Sequence, residues 1–328
     1  MKEEIISISI SLILLIISIS GCVEEKPTVK SNVFYVDIGG EADYTQIQDA
    51  IDKAVEGDII YVQDGVYFET LVINKSISLI GSSSDKTIIF FNKSNNDNDN
   101  IILINADKCK IEEFKIINAN ISLDLTGIDV NSSNNIISNN SILNFKQGIH
   151  LNKNTSDNTI SWNNISNVQY GIVLDYSYKN TLSSNNISSS TKYGIYLYFG
   201  SEVNVISWNT ISDSEYAISI KGSINSIFGN MIIDNIRGIN ICCGANNNVM
   251  SYNTFRQNSL YHAYDTLPNL WDSGSIGNYW DDFEEYGKVA YDNNTDGIID
   301  SPYDIFGNVN QDRYPLMNPP RSLIDNYN

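Results

Sequence analysis

From Gly127 to about Leu260 the chain alternates apolar and polar positions on a fixed cycle. A Gly-Ile step recurs at Gly127, Gly148, Gly171, Gly194 and Gly238, with Ala217-Ile218 once in its place, so neighbouring steps lie 21, 23, 23, 23 and 21 residues apart. Each cycle also carries an Asn-x-Ile piece and, five residues on, a second. Asn135-Ile-Ile with Asn140-Ser-Ile, Asn158-Thr-Ile with Asn163-Asn-Ile, and Asn204-Val-Ile with Asn209-Thr-Ile are examples. Repetition at this period marks a solenoid. Within each piece Ile or Leu alternates with Asn, Ser or Asp, as in a strand with one buried side. No cycle holds a run at helical spacing, which argues against leucine-rich and helical repeats. Three short strands per turn of chain make an all-β, single-stranded parallel β-helix with coils about 4.8 Å apart.

This register predicts that Ile149, Ile172 and Ile195 point into one continuous core. It also predicts a corner column of Asn140, Asn163, Asn185, Asn209, Asn230 and Asn253. Asparagine tolerates the left-handed backbone of a sharp corner, and stacked identical amides can bond in ladders.

Ahead of the repeats, Thr45-x-x-Gln48 has capping-box spacing, Ile47, Ala50, Ile51 and Ala54 follow at helical intervals, and Gly57 suits a C-cap. A helix there would be an N-terminal cap, covering the first coil. Irregular strands follow up to Lys110-Ile-Glu-Glu-Phe, with the Asn/Asp/Ser-rich loop of residues 92–100 among them. Residues 32–265 are thus read as β-helix and residues 266–328 as a loop-rich C-terminal cap, with Trp271, Tyr279, Trp280, Phe283 and Tyr291 as its cover. At the other end an apolar run from Ile5 to Ser20 closes with Ile19-Ser20-Gly21-Cys22, a secretory signal whose last residues resemble a lipobox. Residues 1–22 are therefore a signal with Cys22 as the lipidation site, or an uncleaved anchor, and residues 23–31 a polar tether. Either way the remainder is expected outside the cytoplasmic membrane, held to it by the N-terminus.

Composition narrows the partners. Thirty-nine acidic residues against 20 basic ones give a formal charge of −19, which argues against nucleic acid and anionic lipid headgroups. Four cysteines do not make a disulfide framework. Cys109 reads as a small core residue, and Cys242 and Cys243, adjacent on a strand, should face opposite ways and be poorly placed to pair.

Tyr35-Val-Asp, Asp43-Tyr-Thr-Gln-Ile-Gln-Asp-Ala-Ile, Gly57-Asp-Ile-Ile-Tyr-Val-Gln-Asp-Gly-Val-Tyr and Ile73-Asn-Lys-Ser-Ile-Ser-Leu-Ile-Gly resemble the opening of pectin-methylesterase-type β-helices. They are more similar still to NosD-like proteins, whose β-helix is the carbohydrate-binding and sugar-hydrolase (CASH) domain. The tail Gly277-Asn-Tyr-Trp-Asp-Asp, Asp296-Gly, Asp300-Ser-Pro-Tyr and Tyr314-Pro-Leu resembles the ends of archaeal surface lipoproteins of that group. The resemblance spans about residues 32 to 317 and implies a right-handed, pectin-lyase-like solenoid. It also implies a carbohydrate or cell-surface partner, or a role in maturing the copper site of nitrous oxide reductase.

The residues themselves offer no recognisable catalytic cluster. Outward positions on the Gly-Ile strand read Asp129, His150, Val173, Tyr196, Ser219 and Asn240, then Asn131, Asn152, Asp175, Tyr198, Lys221 and Cys242. Asp129 and Asp175 stand two coils and two residues apart, about 12 Å, too wide for a glycosidase pair. Copper finds no support in ligand spacing: His150 and Cys242 lie four coils apart, about 19 Å. His262, beyond the last clear coil, could reach Cys242 or Cys243. Aromatic residues make the better case. Tyr170, Tyr193 and Tyr216 should stack in a column, and Trp162 and Trp208 occupy equivalent places two coils apart, with Tyr252 two further on. Such a column either stabilises the scaffold or, with Tyr196, Tyr198 and Asp175, forms a platform for pyranose rings. In the tail, Asp292, Asn294, Asp296, the Ile298 carbonyl and Asp300 match the first part of a calcium loop, with Gly297 at its sixth position but Tyr303 where the twelfth-position carboxylate belongs. A plain Asx turn is the competing reading. The expected function is a membrane-anchored, non-catalytic surface or carbohydrate-binding module. The alternatives are a polysaccharide lyase or hydrolase and an accessory protein for a copper enzyme.

Overall fold

The computed structural model describes residues 31–92, 100–119, 124–284, 289–307 and 309–320. The signal or anchor, residues 23–30 of the tether, most of the 92–100 loop and residues 321–328 lie outside these. No described helix is long and apolar enough to cross a membrane.

Ten parallel strands, from Val33–Val36 through Lys110–Glu112 and Thr159–Ser161 to Val249–Ser251, stack side by side as one face of the coil. The other two faces merge into a seventeen-stranded sheet, because Asn164–Leu174 and Asn186–Leu197 run round the corner between them. Ile149 pairs with Ile172 and Ile172 with Ile195, all fully buried, so the three form one core column as the register requires. Tyr170, Tyr193 and Tyr216 also pair in succession.

The repeated glycines answer to space rather than to turns. A Cβ on Gly171 would lie 2.3 Å from the Gly194 carbonyl oxygen and 2.6 Å from Ile187 Cγ2 of the next coil. Gly127, Gly148 and Gly194 meet the equivalent atoms at 2.5–2.9 Å.

The asparagines form two long buried ladders and a short third, Asn235 to Asn258, rather than one. In the expected column each Oδ1 from Asn163 onward accepts from the main-chain amide and the Nδ2 of the asparagine one coil earlier. Asn163 donates to Asn185 at 3.1 and 3.0 Å, and Asn185 to Asn209 at 3.0 and 2.9 Å. A second ladder runs through Asn135, Asn158, Asn180, Asn204, Asn225, Asn248 and Asn269. The left-handed corner conformation belongs to neither. It falls on the residue before each rung: Asn139, Trp162, Ser184, Trp208, Gly229 and Tyr252 in one column, Asn134, Asp157, Lys179, Val203, Ile224 and Asn247 in the other. The rung must be asparagine for its amide, whereas the corner only has to bend.

The helix α1, Ile47–Lys53, buries Ile47, Ala50 and Ile51. The expected capping box does not form. Gln46 is the N-cap without a side-chain bond, and Glu69 of the next coil accepts from the Ile47 and Gln48 amides, each at 2.9 Å. The C-cap is Ala54 rather than Gly57, and Lys75 Nζ donates to the carbonyls of Ile51, Asp52 and Ala54. A carboxylate at the N-terminus and an ammonium at the C-terminus suit the helix dipole, but both come from the neighbouring coil, beyond the reach of local pattern.

At the far end each long ladder closes on a buried carboxylate. Asn278 donates its amide and Nδ2 to Asp312 Oδ2, which also accepts from Trp280 Nε1 at 2.9 Å. Asn269 ends on Asp265, which accepts from Trp271 Nε1 at 3.0 Å. Only glycine fits at 277, where a Cβ would fall 1.8 Å from Asp312 Oδ1. Trp280 is sandwiched between Phe255 and Tyr303, 4.3 and 4.1 Å centre to centre. Trp271, Trp280 and Phe283 are buried in the cover as expected, but Tyr291 is 58% exposed and takes no part.

Two measurements test these end and ladder contacts. Asn185→Leu strands the Asn163 main-chain amide in the interior and removes the Nδ2 bonds to Asn209 Oδ1 and to the Ile160 carbonyl. It should cost about 2–5 kcal/mol in denaturant unfolding, more than the roughly 1 kcal/mol expected of Ile172→Val; equal losses would remove the ladder from the account of stability. Burial pushes Asp312 up to about 6, against donors that lower it. A raised folded pKa means that its stabilising protonation is complete below about 3.8 and is lost as pH rises through about 6. Relative to Asp312→Asn, the parent should therefore lose up to about 3 kcal/mol between pH 4 and pH 7.5. A gap in melting temperature that does not change with pH would contradict this.

Candidate functional site

The outward positions of the Gly-Ile strands align as the repeat predicts: Asp129, His150, Val173, Tyr196, Ser219 and Asn240 pair in order. At Val173 and Tyr196 this outer face is itself buried, at 5% and 9% exposure, because tyrosines cover it. Tyr193 stacks on Tyr196 at 4.6 Å and contacts Tyr170 at 5.7 Å and Tyr216 at 5.2 Å. Tyr198 meets Tyr196 at 5.6 Å and Tyr176 at 6.2 Å. Burial pushes the Tyr196 hydroxyl up to about 12 and raises that of Tyr193. These phenols are neutral donors at physiological pH.

Cations stand over the rings. Lys192 Nζ lies 5.5 and 5.6 Å from the centres of Tyr170 and Tyr193, and Lys221 Nζ 5.4 and 5.3 Å from those of Tyr196 and Tyr198. Lys153 covers Tyr176 at 5.0 Å, and Arg237 covers Tyr216 at 4.6 Å while paired to Glu215. Lys192 also donates to the Tyr170 hydroxyl, which holds its ammonium above the ordinary range. Asp175 belongs to the same face, and its Oδ1 is buried without a hydrogen-bond partner. Tyr176, Lys153 and Lys192 were not singled out from the sequence. Lys192 directly precedes Tyr193, a signal that was available; Lys153 and Tyr176 sit past strand ends, where the repeat is irregular.

Trp162 and Trp208 belong to a different place. They occupy left-handed corners, and with Ser184 and Gly229 between and beyond them they line a groove of about 230 Å³. Trp208 packs on Phe228 and, at 6.0 Å, on Tyr252. The structure thus divides the expected sugar-binding residues into a tyrosine face and a tryptophan groove.

Asp129 is fully engaged: His150 Nδ1 lies 3.1 Å from its Oδ1, Asn152 donates to the same oxygen, and Asn100 donates to Oδ2. In the tail loop the expected calcium ligands face their own backbone. Asp292 accepts from the amides of Asp296 and Gly297, Asn294 from that of Asp296, and Asp296 from that of Ile298. Asp300 is turned to Asn293.

Cys242 and Cys243, expected to face apart, form a disulfide. The strand Arg237–Ile241 ends before them and Cys243 has a positive φ, so the alternation of a strand no longer applies. Cys109 is buried, and burial raises its thiol. His262 lies opposite Gly238, not beside the cysteines. Its Nε2 is 2.7 Å from Asp281 and 3.5 Å from Asp282. Its Nδ1 faces Asn258 Nδ2 at 3.0 Å, and that amide cannot turn, because Asn235 donates twice to Asn258 Oδ1. Nδ1 is therefore an acceptor, and the ring proton sits on Nε2.

A profile described as "Periplasmic copper-binding protein (NosD)" matches residues 79–285, over half of the chain. The chain belongs to the NosD family. With that family, it is an extracytoplasmic β-helix protein. No curated protein sequence matches it. Solved structures share the fold. The ORF18 protein of Geobacillus virus E2 has a TM-score of 0.56 at 14% identity, over 79% of this chain and 63% of that one. The enzymatically active domain of bacteriophage CBA120 tailspike protein 2 gives 0.60 at 14%, over 74% and 41%. The mannuronan C-5 epimerase A-module of Azotobacter vinelandii gives 0.53 at 14%, over 71% and 85%. The chain thus spans under two thirds of either viral protein.

The NosD description raises copper, which takes thiolate, thioether or free imidazole nitrogen. Among the described residues of this NosD chain, the group close enough to share an ion is His262, Asp281 and Asp282, in which His262 presents Nε2–H to a carboxylate. His150 stands apart beside Asp129, two cysteines are bridged and the third is a buried thiol. These donors do not fit a copper ion.

Proposed function

We propose that this protein is a membrane-anchored, non-catalytic module that holds a polysaccharide chain along its tyrosine face. The observation that carries the reading is the continuous row of Tyr170, Tyr193, Tyr196, Tyr198 and Tyr216 on the outside of the solenoid. Rigid rings with polar tips bind a sugar face at little cost in side-chain entropy. The row runs along the stacking direction, so a polymer laid parallel to the axis meets a new ring at each coil. The epimerase module named for mannuronan contributes the fold alone, and the reading rests on the face itself. Absence of catalysis is supported by Asp129 being held by three partners and by Asp175 standing without a second carboxylate. Anchoring rests on Cys22 and the apolar run before it.

A glycan array followed by incubation of each hit tests the reading. Tyr198→Ala should weaken a hit roughly 2–10-fold while melting close to the parent, and the glycan should be recovered uncut. New chain ends would place the protein among lyases or hydrolases. Full-length protein should sediment with membranes, and Cys22→Ala should alter that.

A further inference from the structure

Among the described lysines, those on the tyrosine face are the ones that stand over aromatic rings. Lys53, Lys75, Lys108, Lys115 and Lys179 are in no ion pair either, but have no ring beneath them. Lys86, Lys110 and Lys146 are each within 4.0 Å of a carboxylate. No ion pair among the described residues includes Lys153, Lys192 or Lys221, although the chain carries 39 acidic residues against 20 basic ones. Instead each ammonium stands over an aromatic ring. Asp175 lies beside these rings and Asp129 continues the same outward column two coils earlier, so three lysines meet two carboxylates, with Arg237 neutralised by Glu215. On a protein of formal charge −19 this is a local reversal of sign.

We infer that the polymer bound there is anionic, a polyuronate with its carboxylates on Lys153, Lys192 and Lys221 and its rings on the tyrosines. This deepens the carbohydrate reading and rests on it. The three lysines belong to coils zero, two and three of the run beginning at Gln147–Leu151, about 14 Å along the axis, with Lys192 six residues before the register of Lys221 along the strand. A few cations at that separation suit a polymer with one carboxylate per sugar. A duplex nucleic acid places a charge about every 1.7 Å and would meet the repulsion of the whole molecule. The ring faces then take the apolar side of each sugar, and neutral phenol hydroxyls leave the lysine charges uncompensated.

The test compares oligogalacturonate with its fully methyl-esterified form, which keeps the backbone and removes the charge, by calorimetric titration. Oligogalacturonate should bind, lose affinity as salt is added, and weaken roughly threefold or more in each of Lys192→Gln and Lys221→Gln. Both variants should melt within a degree or two of the parent, since the two ammonium groups are only partly buried. Equal affinity for the esterified chain, lost in Tyr198→Ala but not in the lysine variants, would overturn the charge assignment and leave the carbohydrate reading standing. Failure of both saccharides would overturn the polyuronate inference, while the glycan array decides the carbohydrate reading separately. Binding of oligothymidylate in place of either would make the face a site for a different polyanion and overturn the inference.

Discussion

From Asn135 onward each coil of this solenoid is held to the next by a side-chain amide that has no water to turn to. Asn185, fully enclosed, accepts from the backbone and side chain of Asn163 and donates to Asn209 and to the Ile160 carbonyl. A corner in a coiled chain leaves peptide groups that no strand partner can satisfy, and in a dry interior each would cost about 1–3 kcal/mol. The ladders answer that cost rung by rung, and they set the axial register that the hydrophobic columns then fill. Glycines at the Gly-Ile step serve the same constraint, since a larger residue would push adjacent backbones out of bonding distance.

A ladder must also stop, and its last amide needs an acceptor that asks for nothing further. Carboxylates meet that requirement, so Asp265 and Asp312 lie at the two terminal rungs, each receiving an indole N–H as well. The rest of the cap follows from burying them. Gly277 leaves room for Asp312, and Trp280 covers it between Phe255 and Tyr303. Asp272, buried, is held below the ordinary carboxylate range by Arg313, whose guanidinium grips it from the neighbouring segment. A segment with almost no regular strand is thereby ordered by polar contacts to the scaffold.

Regular stacking has a consequence for the outer surface. Any residue type repeated in one strand position becomes a row along the axis, at a spacing that the backbone sets. Tyrosines at the position before Gly-Ile become a row of rings, and the lysines beside them acquire aromatic rather than carboxylate neighbours. The same rule places the His262 ring against a rung of a third, shorter ladder, which dictates its tautomer and turns three metal-type donors into a hydrogen-bonded cluster.

Periodicity alone determined the number of strands per coil, the inward isoleucines, the outward column from Asp129 to Asn240 and the tyrosine row, because in a solenoid neighbours in space are neighbours one period away in sequence. Where contacts leave that rule, only the tertiary structure decided. Glu69 and Lys75 replaced the local helix caps, since the adjacent coil brings full charges to both ends of the helix. Trp162 parted from Tyr170 because the chain turns a corner between them. Cys242 met Cys243 because the strand had already ended. Asp312 reached Asn278 across 34 residues with no period to announce it. Sequence pattern reports what a repeating backbone imposes; the ends, the corners and the charges that face one another depend on where the chain returns.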